Sequence, residues 1–112
     1  AAAGGSARLV VENTAPVTAN DPALTRRVLP WLTAQHGEAN VREMALMTVA
    51  EDFSEFANVV PGFFFFVGST PRGVDPATAP NNHSPEFFLD EEALQVGTRA
   101  MLRLALGYLH GG

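Results

Sequence analysis

Phe63 to Phe66 followed by Val67, framed by Pro61-Gly62 and Gly68, restricts the fold more than any other part of this chain. The run has no polar alternation, so it reads as a strand buried on both faces. Left open to water it would be an aggregation hazard, which implies that the intact protein covers it. The chain has 112 residues, enough for one domain and too few for two ordinary ones. With 46% hydrophobic and 17% charged residues it reads as a packed globular piece, not a disordered one. A net charge of −5 without any lysine disfavours nucleic acid as a partner. No stretch approaches the length of a membrane span. The lack of cysteine excludes disulfides and thiolate metal sites. Ala1-Ala2-Ala3-Gly4-Gly5 lacks the basic and apolar regions of a signal peptide, so the chain reads as the continuation of a longer one, with the cytoplasm as its default location.

The rest of the pattern suggests strands alternating with helices, an α/β arrangement. Ala7 to Glu12 is β-prone and ends in the turn-rich Asn13-Thr14-Ala15-Pro16; an extended linker follows to Asn20. Asp21-Pro22 opens a helix, with Asp capping exposed amides and Pro at the first helical position. Leu24, Val28, Trp31 and Leu32 give it one buried face; Pro30 could kink or end it, and His36-Gly37 closes it. Val41 to Met47 reads as a strand, although it contains good helix formers. Asp52 to Val60 reads as a short helix before the Pro61-Gly62 turn, and Ser69 to Ser84 as a long irregular loop. Asp90 caps a last helix, with Glu91 and Glu92 at its positive end. Leu94, Gly97, Met101, Leu104 and Tyr108 form its apolar stripe, widened by Leu102, Ala105, Leu106 and Leu109, and predict a helix largely buried on one side.

Few residues carry obvious chemistry. His83 lies in a Pro-framed loop beyond the aromatic run and could offer a neutral imidazole nitrogen to a metal, but one ligand is not a site. Glu51-Asp52 could hold two different pKa values for acid/base work, or could simply complement the short helix that follows, with Asp52 or Ser54 as its cap. Glu91-Glu92 opens an amphipathic helix and reads as structural. Gly62 is most simply part of a turn, although glycine also lets a ligand approach the backbone. There is no phosphate loop, nucleophile elbow or His-Glu-x-x-His helix.

The blocks together say more. Ala50-Glu51-Asp52-Phe53-Ser54, Pro61-Gly62 through Gly68, His83-Ser84-Pro85-Glu86-Phe87 and Asp90-Glu91-Glu92-Ala93-Leu94 stand in an order that resembles the carboxyl-terminal part of M20 metal-dependent amidohydrolases and peptidases. The nearest branch holds hippurate hydrolases, N-acyl-amino-acid amidohydrolases and auxin-conjugate hydrolases. Asn20-Asp21-Pro22 fits as the re-entry into the catalytic domain.

The resemblance implies the carboxyl-terminal part of a zinc-exopeptidase-like α/β catalytic domain, over residues 16–112, preceded by the last strand of an α+β lid or dimerisation domain within residues 1–15. It implies two divalent ions in the intact enzyme (Zn, Mn, Co or Ni), with His83 as one metal ligand and Glu51, Asp52 and Gly62 at the substrate end of the pocket. His36 and His110 match no ligand of the family. No catalytic residue falls in this chain, because the family's proton-shuttling glutamate and other ligands are not in this sequence. The implied activity is hydrolysis of the amide bond of an N-acyl amino acid by metal-activated water. The implied partners are a small acyl-amino-acid or peptide substrate, the missing catalytic half and a second subunit. The isolated chain is expected to be inactive and to bind no metal pair. A carboxypeptidase or dipeptidase segment is one alternative, and a non-enzymatic α/β interaction module is another.

Overall fold

Helix α1 spans Pro22–His36 and starts where the sequence places it. The Asp21 carboxylate accepts a hydrogen bond from the Leu24 N–H at 2.7 Å, and Pro22, lacking an N–H, sits where none is needed. Pro30 does not end the helix, which continues for almost two turns beyond it. Gly37 closes it at φ 85° and ψ 146°, a positive-φ conformation open to glycine but outside the left-handed helical region, while its N–H donates to Thr33 O. This computed structural model describes residues 4–11 and 15–111.

A single 3₁₀ turn, Glu38–Asn40, follows α1. Helix α2 is Phe53–Ala57, shorter than the expected Asp52 to Val60. The Asn58 amide donates to Ser54 O at 2.6 Å and occupies a carbonyl at the helix end. Helix α3, Glu92–Leu109, is the longest. Its first free amide, Glu92 N–H, donates to the Asp90 carboxylate at 2.9 Å, so Asp90 does cap it, one position earlier than the geometric boundary at Glu91.

The core is a seam between α1 and α3, built on Val28, Leu32 and Ala100. Gly107 makes the close approach possible: a Cβ there would lie 2.8 Å from Trp31 Cε3. The Arg27 guanidinium lies 4.7 Å from the Tyr108 ring centroid and 5.8 Å from that of Trp31, tying the outer rim of the seam through cation–π contacts. The expected burial of the α3 stripe is not realised. Leu94, Met101, Leu102, Leu106, Tyr108 and Leu109 are exposed, because α1 is the only helix packed on α3 among the described residues and it covers the Ala100–Gly107 side.

The expected strands also differ from the structure. Among the described residues no segment forms a paired strand. Residues 7–11 and Val41 to Met47 carry no regular structure, and Leu9, Val10, Val11, Met44, Leu46 and Met47 are exposed. Glu12, Asn13 and Thr14 lie outside the described residues, as do Ala1 to Ala3, so part of the 1–15 segment has no structural counterpart here.

Phe63 to Val67 keeps the side-chain alternation of a strand without a strand neighbour. Phe63 pairs with Phe65 and Phe64 with Phe66, at ring-centroid separations of 5.9 and 5.0 Å. One face meets α2, through Phe64 and Phe53 at 5.6 Å, and the other meets α3, where Val67 lies beside Gly97. Burial on both faces is therefore incomplete, and Phe66 is 54% exposed.

The molecule is open for its size. Its radius of gyration is 19.0 Å, against about 13 Å expected of a compact domain this long. Its accessible surface is 9422 Å², where a compact monomer of this mass exposes roughly 6,000 Å². No helix among the described residues is long and apolar enough to cross a membrane.

Candidate metal and substrate site

Two acidic residues open α2 and do different work. The Glu51 carboxylate is half-buried and accepts the Phe53 N–H at 3.1 Å, so Glu51 satisfies a free amide of the helix start. Asp52 occupies the cap position, but its side chain makes no cap hydrogen bond and is exposed. The helix-start role thus falls to Glu51, while the Asp52 carboxylate remains free to meet another group.

The Glu51 main chain is anchored as well. Its carbonyl accepts the Ser54 N–H and the Thr18 hydroxyl, the latter at 3.3 Å, which holds the extended linker against the start of α2. Ser54 follows with its side chain fully buried and its hydroxyl without a hydrogen-bond partner among the described residues.

Gly62 is buried against the same helix. A Cβ at this position would sit 2.9 Å from Ala57 Cβ and 3.1 Å from Phe53 Cε1. Packing on α2 is sufficient reason for glycine here. Glu51, Asp52 and Gly62 are therefore brought together around one short helix.

His83 stands apart from them. Its imidazole is exposed, and its N–H donates to the Asn81 side chain at 2.9 Å, a local turn that fixes the backbone rather than the ring. Ser84 N–H donates to Asn81 O, Phe87 N–H to Ser84 O and Glu86 N–H to Ser84 Oγ, so the loop around His83 is a chain of tight turns. The loop base is closed by Asp90 N–H donating to Ser69 O at 2.8 Å. This pins both ends of the irregular segment between the aromatic run and α3.

As a donor set for a divalent metal, these residues fit one coordination position. The His83 ring makes no hydrogen bond among the described residues and is accessible, as a ligand must be before the metal binds. No group of three or more His, Asp or Glu side chains able to hold an ion occurs among the described residues. The described residues therefore offer single donors and not a ligand cluster.

The sequence places Asn20 at the re-entry into the catalytic domain but gives no hint of its hydrogen bonds. Its amide donates to Phe64 O at 2.8 Å and accepts the Phe64 N–H at 2.6 Å, while the neighbouring Asp21 N–H donates to Gly62 O at 2.9 Å. Asn20 thereby locks the linker onto the start of the aromatic run. No local signal marks this role, since the partners lie 44 residues apart. A groove of about 390 Å³ between α1 and α3 is shallow and lined by Trp31, Leu102, Leu106, Arg99 and Arg103 among others. It contains no His, Asp or Glu and belongs to the helix seam, not to the acids or His83.

The family model described as peptidase family M20/M25/M40 matches residues 6–107. Thermostable carboxypeptidase 2 of Saccharolobus solfataricus is 34% identical over 98 residues, covering 88% of this chain and 24% of that protein. IAA-amino acid hydrolase ILR1-like 4 of Arabidopsis thaliana is 35% identical over 94 residues, covering 84% of this chain and 21% of that protein. ILR1-like 5 of the same plant is 37% identical over 73 residues, covering 65% of the chain and 16% of its own length. The chain thus spans about a quarter or less of the length of these relatives. No solved structure matches it. A match running through the linker, both acids, the aromatic run, the His83 loop and most of α3 makes the chain a member of the M20/M25/M40 peptidase family, and so a piece of a zinc-exopeptidase-like domain.

Proposed function

We propose that this chain is the carboxyl-terminal segment of a metal-dependent hydrolase that cleaves the amide bond of N-acyl amino acids. Residues 16–112 form the end of its catalytic domain and residues 1–15 the end of its lid. The observation that carries the reading is the family match over residues 6–107, which contains every block that bears chemistry. Relatives named as IAA-amino acid hydrolases support an acylated amino acid as substrate.

On this reading His83 supplies one imidazole ligand from a loop whose turns hold its backbone in place. Divalent metal, when bound, would acidify a water and polarise the scissile carbonyl. The Asp52 carboxylate, which is exposed, is the group assigned to the substrate end of the pocket, and Glu51 keeps the start of α2 fixed beside it. Gly62 lets the backbone lie close to that helix, which sets the position of the acids at its start. The remaining ligands and the proton-shuttling acid come from the rest of the protein, so the isolated chain is inactive. The intact enzyme is a cytoplasmic homodimer on the same reading.

The test is His83→Ala in the intact protein, with bound metal measured directly and hydrolysis assayed on acyl-amino acids and dipeptides. The expected result is loss of one ion and a fall in kcat of at least about a hundredfold, in line with losing a directly coordinating group. A variant that keeps both its metal and its rate removes His83 from the site. The carboxypeptidase reading is favoured by the Saccharolobus relatives, and preference for dipeptides on the same substrate panel would select it.

A further inference from the structure

Helices α1 and α3 hold four of the chain's seven arginines, Arg26, Arg27, Arg99 and Arg103, and one of its twelve acids, Glu92 at the first position of α3. The chain as a whole carries a net charge of −5, so this helix pair is a basic island on an acidic molecule. All four arginines are exposed. Arg99 and Arg103 stand one turn apart on α3, a like-charged i, i+4 pair that weakens the helix unless an anion lies between them. Glu92 is almost two turns before Arg99, and no acid lines the groove that the two arginines border.

That groove has an apolar floor. Leu102 and Leu106, also one turn apart, are about half exposed, and Trp31, half-buried, closes the side formed by α1. The Arg103 guanidinium lies over the Trp31 ring, 5.9 Å from its centroid, a contact that restrains the side chain and leaves N–H donors for a carboxylate. Gly97 marks the side of α3 that meets the aromatic run, since a Cβ there would lie 3.6 Å from Val67 Cγ2. At roughly 100° per residue, Arg99, Leu102, Arg103 and Leu106 fall on the opposite side of the helix. The groove therefore faces away from the segment that the intact protein is expected to cover.

We infer that the groove between α1 and α3 is a docking site for an acidic amphipathic helix of a partner protein, its carboxylates on Arg99 and Arg103 and its apolar side chains on Leu102, Leu106 and Trp31. Charge selects this occupant. A second copy meeting face to face would set arginine on arginine. An extended polyanionic surface would also meet the acids that outnumber the arginines elsewhere on the chain. Shape and spacing select a helix. The groove is too shallow to enclose a small molecule, and Arg99 and Arg103 are about 6 Å apart along the axis, the interval between acids four residues apart on a helix lying alongside. The site is separate from His83, Glu51 and Asp52, so it stands or falls independently of the amide-hydrolysis reading.

The test titrates the intact protein into dye-labelled synthetic helical peptides and reads their fluorescence anisotropy. Two peptides share one leucine stripe, bordered by glutamates at i, i+4 in the first and by glutamines in the second. The glutamate peptide is expected to bind at least about tenfold more tightly, as two partly exposed ion pairs allow, and to lose that margin against Arg99→Glu/Arg103→Glu. A third peptide bordered by lysines should bind this variant better than the unmodified protein, which separates charge recognition from a folding defect. Equal affinity for the first two peptides would overturn the proposal, as would no binding of either because the intact protein covers the groove. A glutamate-peptide affinity unchanged in the variant would place binding elsewhere and overturn it too. Preference for anionic over neutral phospholipid vesicles, lost in the variant and without preference for the glutamate peptide, would assign the surface to a membrane instead.

Discussion

Asn20 and Ser54 illustrate opposite states of a polar side chain near an apolar cluster. Asn20 makes two short hydrogen bonds to the Phe64 main chain, whereas the Ser54 hydroxyl is buried with no partner among the described residues. Asn20→Ala would remove two hydrogen bonds to the Phe64 main chain at a position open to water. It should cost about 0.5–1.5 kcal/mol in denaturant unfolding of the intact protein. Ser54→Ala removes an unsatisfied hydroxyl and should be neutral or stabilising by up to about 1 kcal/mol. A loss above that would show that another segment of the intact protein hydrogen-bonds Ser54. Gly107→Ala places a methyl 2.8 Å from the Trp31 ring and should cost about 1–3 kcal/mol by overpacking. At this scale the sequence was legible where chemistry is local. Asp21 and Asp90 could be read as caps because their partners lie two or three residues away. Asn20, Gly62 and Gly107 could not, because each is explained by a neighbour remote along the chain or by a packing distance.

The helices follow their local signals, and the strands do not. Asp21→Ala removes the carboxylate on the Leu24 N–H and should destabilise α1 by about 0.5–2 kcal/mol, visible as a lower unfolding midpoint at unchanged m-value. Asp21→Asn, which keeps an acceptor oxygen, should recover most of that loss. Helices make their hydrogen bonds within a few residues, so α1 and α3 were readable nearly to their ends. A strand makes its hydrogen bonds to another segment, and the periodicity of Phe63 to Val67 cannot say which segment that is. Val41 to Met47 illustrates the same limit, since apolar composition without a sheet neighbour left it irregular. The His83 loop was recognised from its Pro and Asn content, and its succession of turns matches that composition.

As a whole, the molecule has the surface of a part. Its radius of gyration of 19.0 Å and its exposed α3 stripe leave more apolar area in water than a self-sufficient domain would. Prepared alone, the 112-residue chain should bind a hydrophobic dye, show weak near-ultraviolet dichroism and associate with rising concentration. A cooperative monomeric melt with a radius of gyration near about 13 Å would favour the self-contained interaction module instead. The family was legible from the order of the blocks, while substrate preference was not, because one loop histidine and the acids of one short helix do not enclose a pocket. The α1–α3 seam also supplies an optical handle. Trp31 is the sole tryptophan, seated on Gly107 with the Arg27 and Arg103 guanidinium groups each within 6 Å of its ring centroid. In the 112-residue chain its emission therefore reports this one interface, so the joining of these two helices can be followed by fluorescence alone.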